Sequence, residues 1–145
     1  METLKIKYEL TKKSIDSLKE IINMITEHKK VLHLDFVDAE KEQKVLRDSL
    51  IQRFEYSVDT LWNYLKEYFL EIKGVKQDSP KPIFRQCLKS GLTKEEETEK
   101  LLLMVDDRNL TTHTYKEELA NEIAKNIPQY FELMEKVLEE SKKDF

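Results

Sequence analysis

The chain has 145 residues, of which only two are glycine and three are proline, while 37% are charged. This length favours a single domain, and the scarcity of turn residues excludes β-sandwiches and barrels as well as the glycine-rich loops that hold nucleotide phosphates. A net charge of -4 excludes the overall basic field of a nonspecific nucleic-acid binder, so any nucleic-acid role must be local.

The first half of the chain predicts two long helices. Apolar residues recur at steps of three and four from position 15 to position 25 and return at 31 and 32, which predicts a helix from about Leu10 to about Leu32. Residues 35–39 would link it to a second helix from about Glu40 to Lys73, whose apolar positions keep helical spacing for about seven turns. Gly74 then predicts a left-handed helix stop.

The next segment predicts a short helix and a third long one. After a loop with two prolines, residues 83–88 form a short apolar helix that ends at Gly91. Thr93 and Glu96 have the spacing of a capping box, which predicts the start of the next helix. The apolar stripe of that helix continues to Arg108, so an arginine occupies a position on the apolar face, and this placement needs a physical reason.

A last helix is predicted from a second capping box, formed by Thr114 and Glu117, and Pro128 should kink it. Four long helices and one short helix with brief connections predict an all-α fold, an antiparallel up-and-down helical bundle. We expect residues 1–145 to form one such domain.

Other features bear on location and metal binding. The single Cys87 cannot form an internal disulfide, residues 1–20 lack the apolar centre of a signal peptide, and no apolar run could span a bilayer, which predicts a cytoplasmic protein that needs no membrane. His28 and His33 have no Cys or His partner at ligand spacing, so we interpret both as ordinary surface or packing residues and expect no metal and no cofactor.

Residues 104–116 carry more chemistry than a helical bundle requires. A helix junction would allow an arginine at the end of one helix and a histidine at the start of the next to converge on one point. Arg108 could then hold a phosphate while His113 transfers protons near neutral pH, a combination that suits a ribonuclease. Spacing alone leaves a structural alternative open, in which Arg108 forms a local ion pair and His113 caps or packs against a helix.

The string from Asp107 to Tyr115, with Arg108, His113 and Tyr115 in order, resembles the Arg-x4-His-x-Tyr signature of HEPN domains, in the branch called nucleotidyltransferase substrate-binding proteins, or HepT-type. Residues 52–56 and 61–66 resemble the aromatic second helix of that branch, and residues 79–92 its short middle helix. One departure lies at residues 93–97, which are acidic but lack the aromatic residue that many relatives carry there.

The resemblance implies a dimeric helical bundle in which two motifs form one composite cleft, beside a separately encoded minimal nucleotidyltransferase. In the toxin–antitoxin version it implies a metal-independent endoribonuclease that the partner silences by transferring AMP to a tyrosine. Carried onto this chain, Arg108 would bind the scissile phosphate, Asn109 would help orient the site, His113 would transfer the proton, and Tyr115 would accept AMP.

Two other functions remain open. The chain could be a non-catalytic substrate-binding subunit of a two-component nucleotidyltransferase, which its net acidity favours because it attracts RNA poorly. It could also be a plain helical scaffold, which would leave Arg108 unexplained. The aromatic residues of the second helix, Trp62, Tyr64, Tyr68 and Phe69, are expected to lie in the core or at a dimer interface rather than to stack bases.

Overall fold

A computed structural model describes residues 1–30 and 39–145 of the chain, and it has the predicted all-α architecture. Five α-helices and one short 3-10 helix make up the described part, without a strand. They are α1 (Glu2–Lys30), α2 (Ala39–Lys73), α3 (Pro80–Lys89), α4 (Glu95–Leu110), the 3-10 helix (Thr111–His113) and α5 (Glu117–Lys142). His33, the side chain of His28 and residues 31–38, which include most of the predicted link, lie outside the described residues.

The order of the contacts between helices shows that consecutive long helices run antiparallel. The Ser57 hydroxyl donates to the carbonyl of Ser14, whereas the Thr11 hydroxyl, nearer the start of α1, donates to the carbonyl of Thr60, farther along α2. Contacts between α2 and α5 advance in the same direction, from Arg47 with Asn121 to Tyr64 with Ser141. The two helices that share a direction therefore pack directly against each other.

The core is aromatic at the centre of α2, as the sequence predicts. Phe54, Tyr64, Tyr68 and Phe69 have no exposed surface, and Trp62 is half-buried. Phe54 stacks on Tyr130 of α5 with ring centroids 5.8 Å apart. Their burial removes these tyrosine and phenylalanine rings from any base-stacking surface.

The first helix begins earlier than predicted. It starts at Glu2 rather than near Leu10, and its additional turns bury Leu4 and Tyr8. The sequence pattern concealed this because a polar residue, Thr11, occupies the buried face. The single hydrogen of its hydroxyl lies between the carbonyls of Lys7, at 2.8 Å, and Thr60, at 3.1 Å, which satisfies a polar group that is fully buried.

Both glycine stops are confirmed. Gly74 and Gly91 have φ of 67° and 78°, in the left-handed region, after α2 and α3. The amide of Leu92 also donates to the carbonyl of Cys87 at 2.9 Å, which closes the end of α3. The described helices include no candidate membrane-spanning segment. The helix α5 continues through Pro128, and the kink at this residue stays a prediction.

The predicted capping box of α4 is wrong by one residue. The amide of Lys94 donates to Glu97 Oε1 at 2.9 Å, whereas the Thr93 hydroxyl pairs with the Thr98 hydroxyl at 2.7 Å in a buried contact. Thr93 enters the core directly after the α3 stop, so its hydroxyl satisfies another buried hydroxyl instead of a helix end.

Replacing Glu97 with glutamine should lower the free energy of unfolding by about 1 kcal/mol at pH 7. Glu97 Oε2 accepts a hydrogen bond from Lys136 of α5 at 2.5 Å, and this bond, followed by that from the Lys94 amide, lowers the pKa of Glu97 in the folded state. A lowered folded-state pKa stabilises the fold above the unfolded-state value, and this stability is lost as the pH falls through the lowered pKa. Urea unfolding at several pH values should therefore show a difference that disappears in acid.

The matched control is Glu99→Gln, because Glu99 is exposed on the same helix. A destabilisation of Glu97→Gln that persists unchanged in acid would contradict an electrostatic origin.

Candidate functional site

Three consecutive charged residues at the end of α4 each contact a different helix. Asp106 pairs with Lys81 of α3 at 2.6 Å. Asp107 accepts hydrogen bonds from the Tyr130 hydroxyl at 2.7 Å and from the Asn126 amide at 3.2 Å, both on α5. Arg108 faces α2. This turn therefore ties the end of α4 to the other helices of the bundle.

The guanidinium of Arg108 is held by four contacts. Nε and Nη2 donate to the two carboxylate oxygens of Asp59 at 3.0 and 2.9 Å, in bidentate geometry. Nη1 donates to the Thr111 hydroxyl at 3.1 Å and lies 3.3 Å from Glu55 Oε2. The arginine side chain is 23% exposed. The carboxylates of α2 thus provide the physical reason for an arginine on the apolar face of α4.

The electrostatics of this cluster keep Arg108 charged. The hydrogen bonds that Arg108 donates to Asp59 are the largest cause of its raised pKa, and burial opposes them. Two carboxylates face one guanidinium, so the positive charge is neutralised in this conformation. A phosphate that bound Arg108 would have to compete with Asp59 and Glu55.

Threonine hydroxyls hydrogen-bond to backbone carbonyls in the junction between α4 and α5. The buried Thr111 hydroxyl donates to the carbonyl of Arg108 at 2.7 Å, and the Thr114 hydroxyl donates to the carbonyl of Thr111 at 2.9 Å. The predicted capping box of Thr114 and Glu117 is therefore wrong, because Thr114 turns back into the junction. The helix α5 begins at Glu117, after Lys116, without a side-chain cap.

The remaining predicted site residues point toward solvent. Asn109 and His113 are exposed, and Tyr115 has 78% of its surface exposed. The rings of His113 and Tyr115 lie edge to face with their centroids 6.2 Å apart. In the described chain, the His113 imidazole has no hydrogen-bond partner, whereas the Arg108 guanidinium is bound by Asp59, Glu55 and Thr111. Within one copy of the chain, the His113 ring thus lies beside the Tyr115 ring, while the Arg108 guanidinium binds to α2.

Asp59 and Glu55 belong to the cluster but escaped the sequence analysis. They are four residues apart on α2 and share one helix face, which is the only local signal that they act together. Their partner lies 49 residues from Asp59 in the chain. Without the packing of α4 on α2, no spacing rule joins these positions.

A shallow pocket adjoins Tyr115 and has a volume of about 400 Å³. One face of α2 forms most of its wall, and the junction closes it. The lining residues are Arg47, Asp48, Ile51, Gln52, Glu55, Thr114 and Tyr115. Glu55 lies in this wall and also contacts Arg108, so the pocket and the arginine cluster share a side chain. Among the side chains that the structure describes, which exclude residues 28–39, no group of three or more metal-ligating residues occurs.

Comparisons with known proteins agree with this architecture. A family model described as "Nucleotidyltransferase substrate binding protein like" matches residues 6–143. A crystal structure of a protein from Thermus thermophilus is 37% identical, with a TM-score of 0.74, over 90% of this chain and 98% of that one. No curated protein sequence matches the chain significantly.

Two solved complexes share the fold at lower identity. One is a tri-AMPylated HEPN toxin from Shewanella oneidensis in complex with an MNT antitoxin, 15% identical over 99% of this chain and 98% of that one, with a TM-score of 0.70. The other is a toxin–antitoxin complex with AMP-PNP, 14% identical over 97% of this chain and 98% of that one, with a TM-score of 0.68. At this identity the likeness is one of fold.

Proposed function

The chain belongs to the nucleotidyltransferase substrate-binding family, and from this premise we propose that it is the HEPN-type toxin of a toxin–antitoxin pair, a metal-independent endoribonuclease. Its partner is a separately encoded minimal nucleotidyltransferase, which silences it by transferring AMP to Tyr115. The observation that carries the proposal is the junction itself, where a half-buried arginine ends one helix and an exposed histidine and tyrosine follow within seven residues. The Shewanella neighbour adds support, because that toxin is AMPylated and bound to its antitoxin.

The proposed cleavage uses the 2′-hydroxyl of RNA as nucleophile. Its oxygen attacks the adjacent phosphorus, the bond to the 5′ oxygen breaks, and the products are a 2′,3′-cyclic phosphate and a 5′-hydroxyl. Arg108 stabilises the charge that develops on the phosphoryl oxygens, and Asn109 orients the site. His113 transfers the proton, either from the 2′-hydroxyl or to the leaving oxygen.

A homodimer completes this site. No hydrogen bond joins the Arg108 guanidinium and the His113 imidazole within the described chain, and a second copy that faces the first would supply the opposing pair. Leu103 and Leu110 are 57% and 41% exposed, and their spacing of seven residues places them on one face of α4. This exposed apolar face next to the junction suits a subunit contact.

Silencing by the partner is a group transfer to Tyr115. The tyrosine oxygen attacks the α-phosphorus of ATP, pyrophosphate leaves, and the hydroxyl proton passes to a base of the partner or to water. The product is a tyrosyl phosphodiester with one negative charge beside His113. The exposure of Tyr115 suits this role, because a separate enzyme must reach its hydroxyl.

Tyr115→Phe should abolish AMP transfer to this chain. Co-expression with a nucleotidyltransferase encoded beside it, followed by intact mass and peptide mapping, should show AMP increments on Tyr115 that are absent from Tyr115→Phe. The matched control is Tyr56→Phe, since Tyr56 is also exposed, at 54%, on α2. Increments on the Tyr115→Phe chain equal to those on the unsubstituted chain would refute the assignment.

A second function has support from the arginine cluster. Asp59 and Glu55 neutralise Arg108, and if the arginine serves only to hold α4 on α2, this arrangement suits a non-catalytic substrate-binding subunit of a two-component nucleotidyltransferase. Purified dimer that cleaves no RNA but raises the transfer rate of the partner would favour this alternative. Growth arrest on expression of the chain alone favours the endoribonuclease.

A further inference from the structure

The pocket beside Tyr115 has the size and the side chains of a small nucleotide site. Its volume of about 400 Å³ lies in the range of ligand pockets, roughly 300 to 1,000 Å³. Residues 47, 48, 51, 52 and 55 lie at helical spacing on one face of α2, opposite the junction. The wall therefore combines an arginine side chain, two carboxylates, a carboxamide and the edge of an isoleucine, and the same arginine also lines a neighbouring pocket together with Asn121 and Glu117.

Arg47 is pre-positioned to bind a phosphate. Its side chain is 16% exposed, and Nη1 donates to Asn121 of α5 at 3.1 Å while Nε and Nη2 donate to Asp48 Oδ1 at 3.4 and 3.3 Å. Glu117 lies 3.6 Å from Nη1. These hydrogen bonds hold the guanidinium in place with three of its five N–H groups, and an anion that bound the other two would compete with Glu117 for the one on Nη1.

The charge balance of the wall disfavours a ligand with more than one negative charge. Among the described residues that line it, Arg47 is the only cation, and Asp48 and Glu55 supply two negative charges that repel a polyphosphate. The same carboxylates can accept hydrogen bonds from ribose hydroxyls, which is how acidic side chains recognise ribose in other nucleotide sites. A nucleoside joined through a phosphodiester satisfies both conditions.

We propose that this pocket binds the AMP group joined to Tyr115, with Arg47 at its phosphate and a wall carboxylate at its ribose. The proposal rests on the function of Tyr115 as the AMP acceptor. Because Tyr115 itself lines the pocket, a nucleotide on its hydroxyl is tethered at the entrance. Glu55 lines the pocket and lies 3.3 Å from Arg108. A nucleotide in the pocket would therefore be separated from Arg108 by the side chain of Glu55.

The first test needs no partner protein. Amide NMR spectra of the chain are recorded during titration with the methyl ester of AMP, which carries the single charge of a phosphodiester, and separately with adenosine. We expect saturable shifts at the amides of Gln52, Thr114 and Tyr115, with the ester binding at millimolar concentration and several-fold more tightly than adenosine. No saturable shift at these amides, or equal affinity for the two ligands, overturns the proposal.

Two variants test the phosphate contact. Arg47→Ala should reduce the affinity for the ester to that for adenosine. Gln52→Glu adds a negative charge at an exposed position without changing the size of the side chain. It should lower the affinity for the ester at least about threefold and leave the affinity for adenosine unchanged. Arg85→Ala on α3 is the matched control. Gln52→Glu keeps the test decisive if Arg47→Ala unfolds, and an unchanged ester affinity in this variant overturns the proposal.

The second test uses the modified protein. When phosphodiesterase is added to AMPylated chain, we expect the nucleotide to be released several-fold faster from Arg47→Ala than from unsubstituted or Arg85→Ala protein. Modification of Tyr115 with equal release from all three would remove the pocket proposal and leave the proposed function standing. Binding of the ester without any modification of Tyr115 by the partner would refute the proposed function of Tyr115 and leave a nucleotide pocket without its tethered ligand.

Discussion

Arg108→Ala should lower RNA cleavage by roughly 10² to 10³-fold and relieve the growth arrest caused by expression of the chain alone. The guanidinium is the one permanent cation in the described cluster, and under the proposed function it stabilises charge on the scissile phosphate. Its partners Asp59 and Glu55 are 43% and 33% exposed, so water can solvate them after the change, and the free energy of unfolding should fall by only about 1 kcal/mol.

The measurement is single-turnover cleavage of a labelled RNA, together with a thermal melt of each variant. Arg108→Lys keeps the charge but loses the bidentate geometry, so its rate should lie between those of the unsubstituted chain and Arg108→Ala. Arg85→Ala removes an exposed arginine from α3 and should cleave normally. Equal cleavage, or equal growth arrest, by Arg108→Ala and Arg85→Ala would refute a catalytic role for Arg108.

His113→Ala should lower cleavage by roughly 10² to 10⁴-fold, the usual contribution of a proton-transfer group, while RNA binding stays nearly unchanged. The imidazole is exposed and has no hydrogen-bond partner in the described chain, so its loss should not alter the melting temperature. Fluorescence anisotropy with an RNA that lacks the reactive 2′-hydroxyl measures binding without cleavage. Loss of binding in proportion to cleavage would assign His113 to substrate contact instead.

Thr112→Ala is the matched control for this variant. Thr112 is the exposed neighbour of His113, and its hydroxyl makes only a long contact, 3.4 Å, to the carbonyl of Asn109. Cleavage by His113→Ala at the rate of Thr112→Ala would show that the imidazole is dispensable.

The helices were largely predictable because each buries an apolar stripe of its own. Leu101, Met104 and Val105 appear at helical spacing, and burial confirms them. The start of α1 was not predictable in this way, because Thr11 breaks the stripe and only the distant carbonyl of Thr60 accepts its second hydrogen bond. Where the apolar periodicity is incomplete, the position of the helix start thus depends on contacts between residues far apart in the sequence.

The candidate site was likewise predictable from the sequence only in part. The junction and its exposed residues, Asn109, His113 and Tyr115, follow from local sequence. The role of Arg108 does not, because spacing favoured a local ion pair with its acidic neighbours, whereas Asp59 of α2 binds it. Both predicted capping boxes failed because the threonines had stronger partners close by, Thr98 in one case and the carbonyl of Thr111 in the other.

The last turn of α4 has a consequence for recognising such sites. Asp106, Asp107 and Arg108 are bound to α3, α5 and α2 respectively, so the position of the arginine is a property of the whole bundle. An identical string of letters at the end of an isolated helix would lack this frame and leave its guanidinium free to swing. A motif search would therefore be sharpened by also requiring a carboxylate pair four residues apart on an earlier helix, as at positions 55 and 59 here.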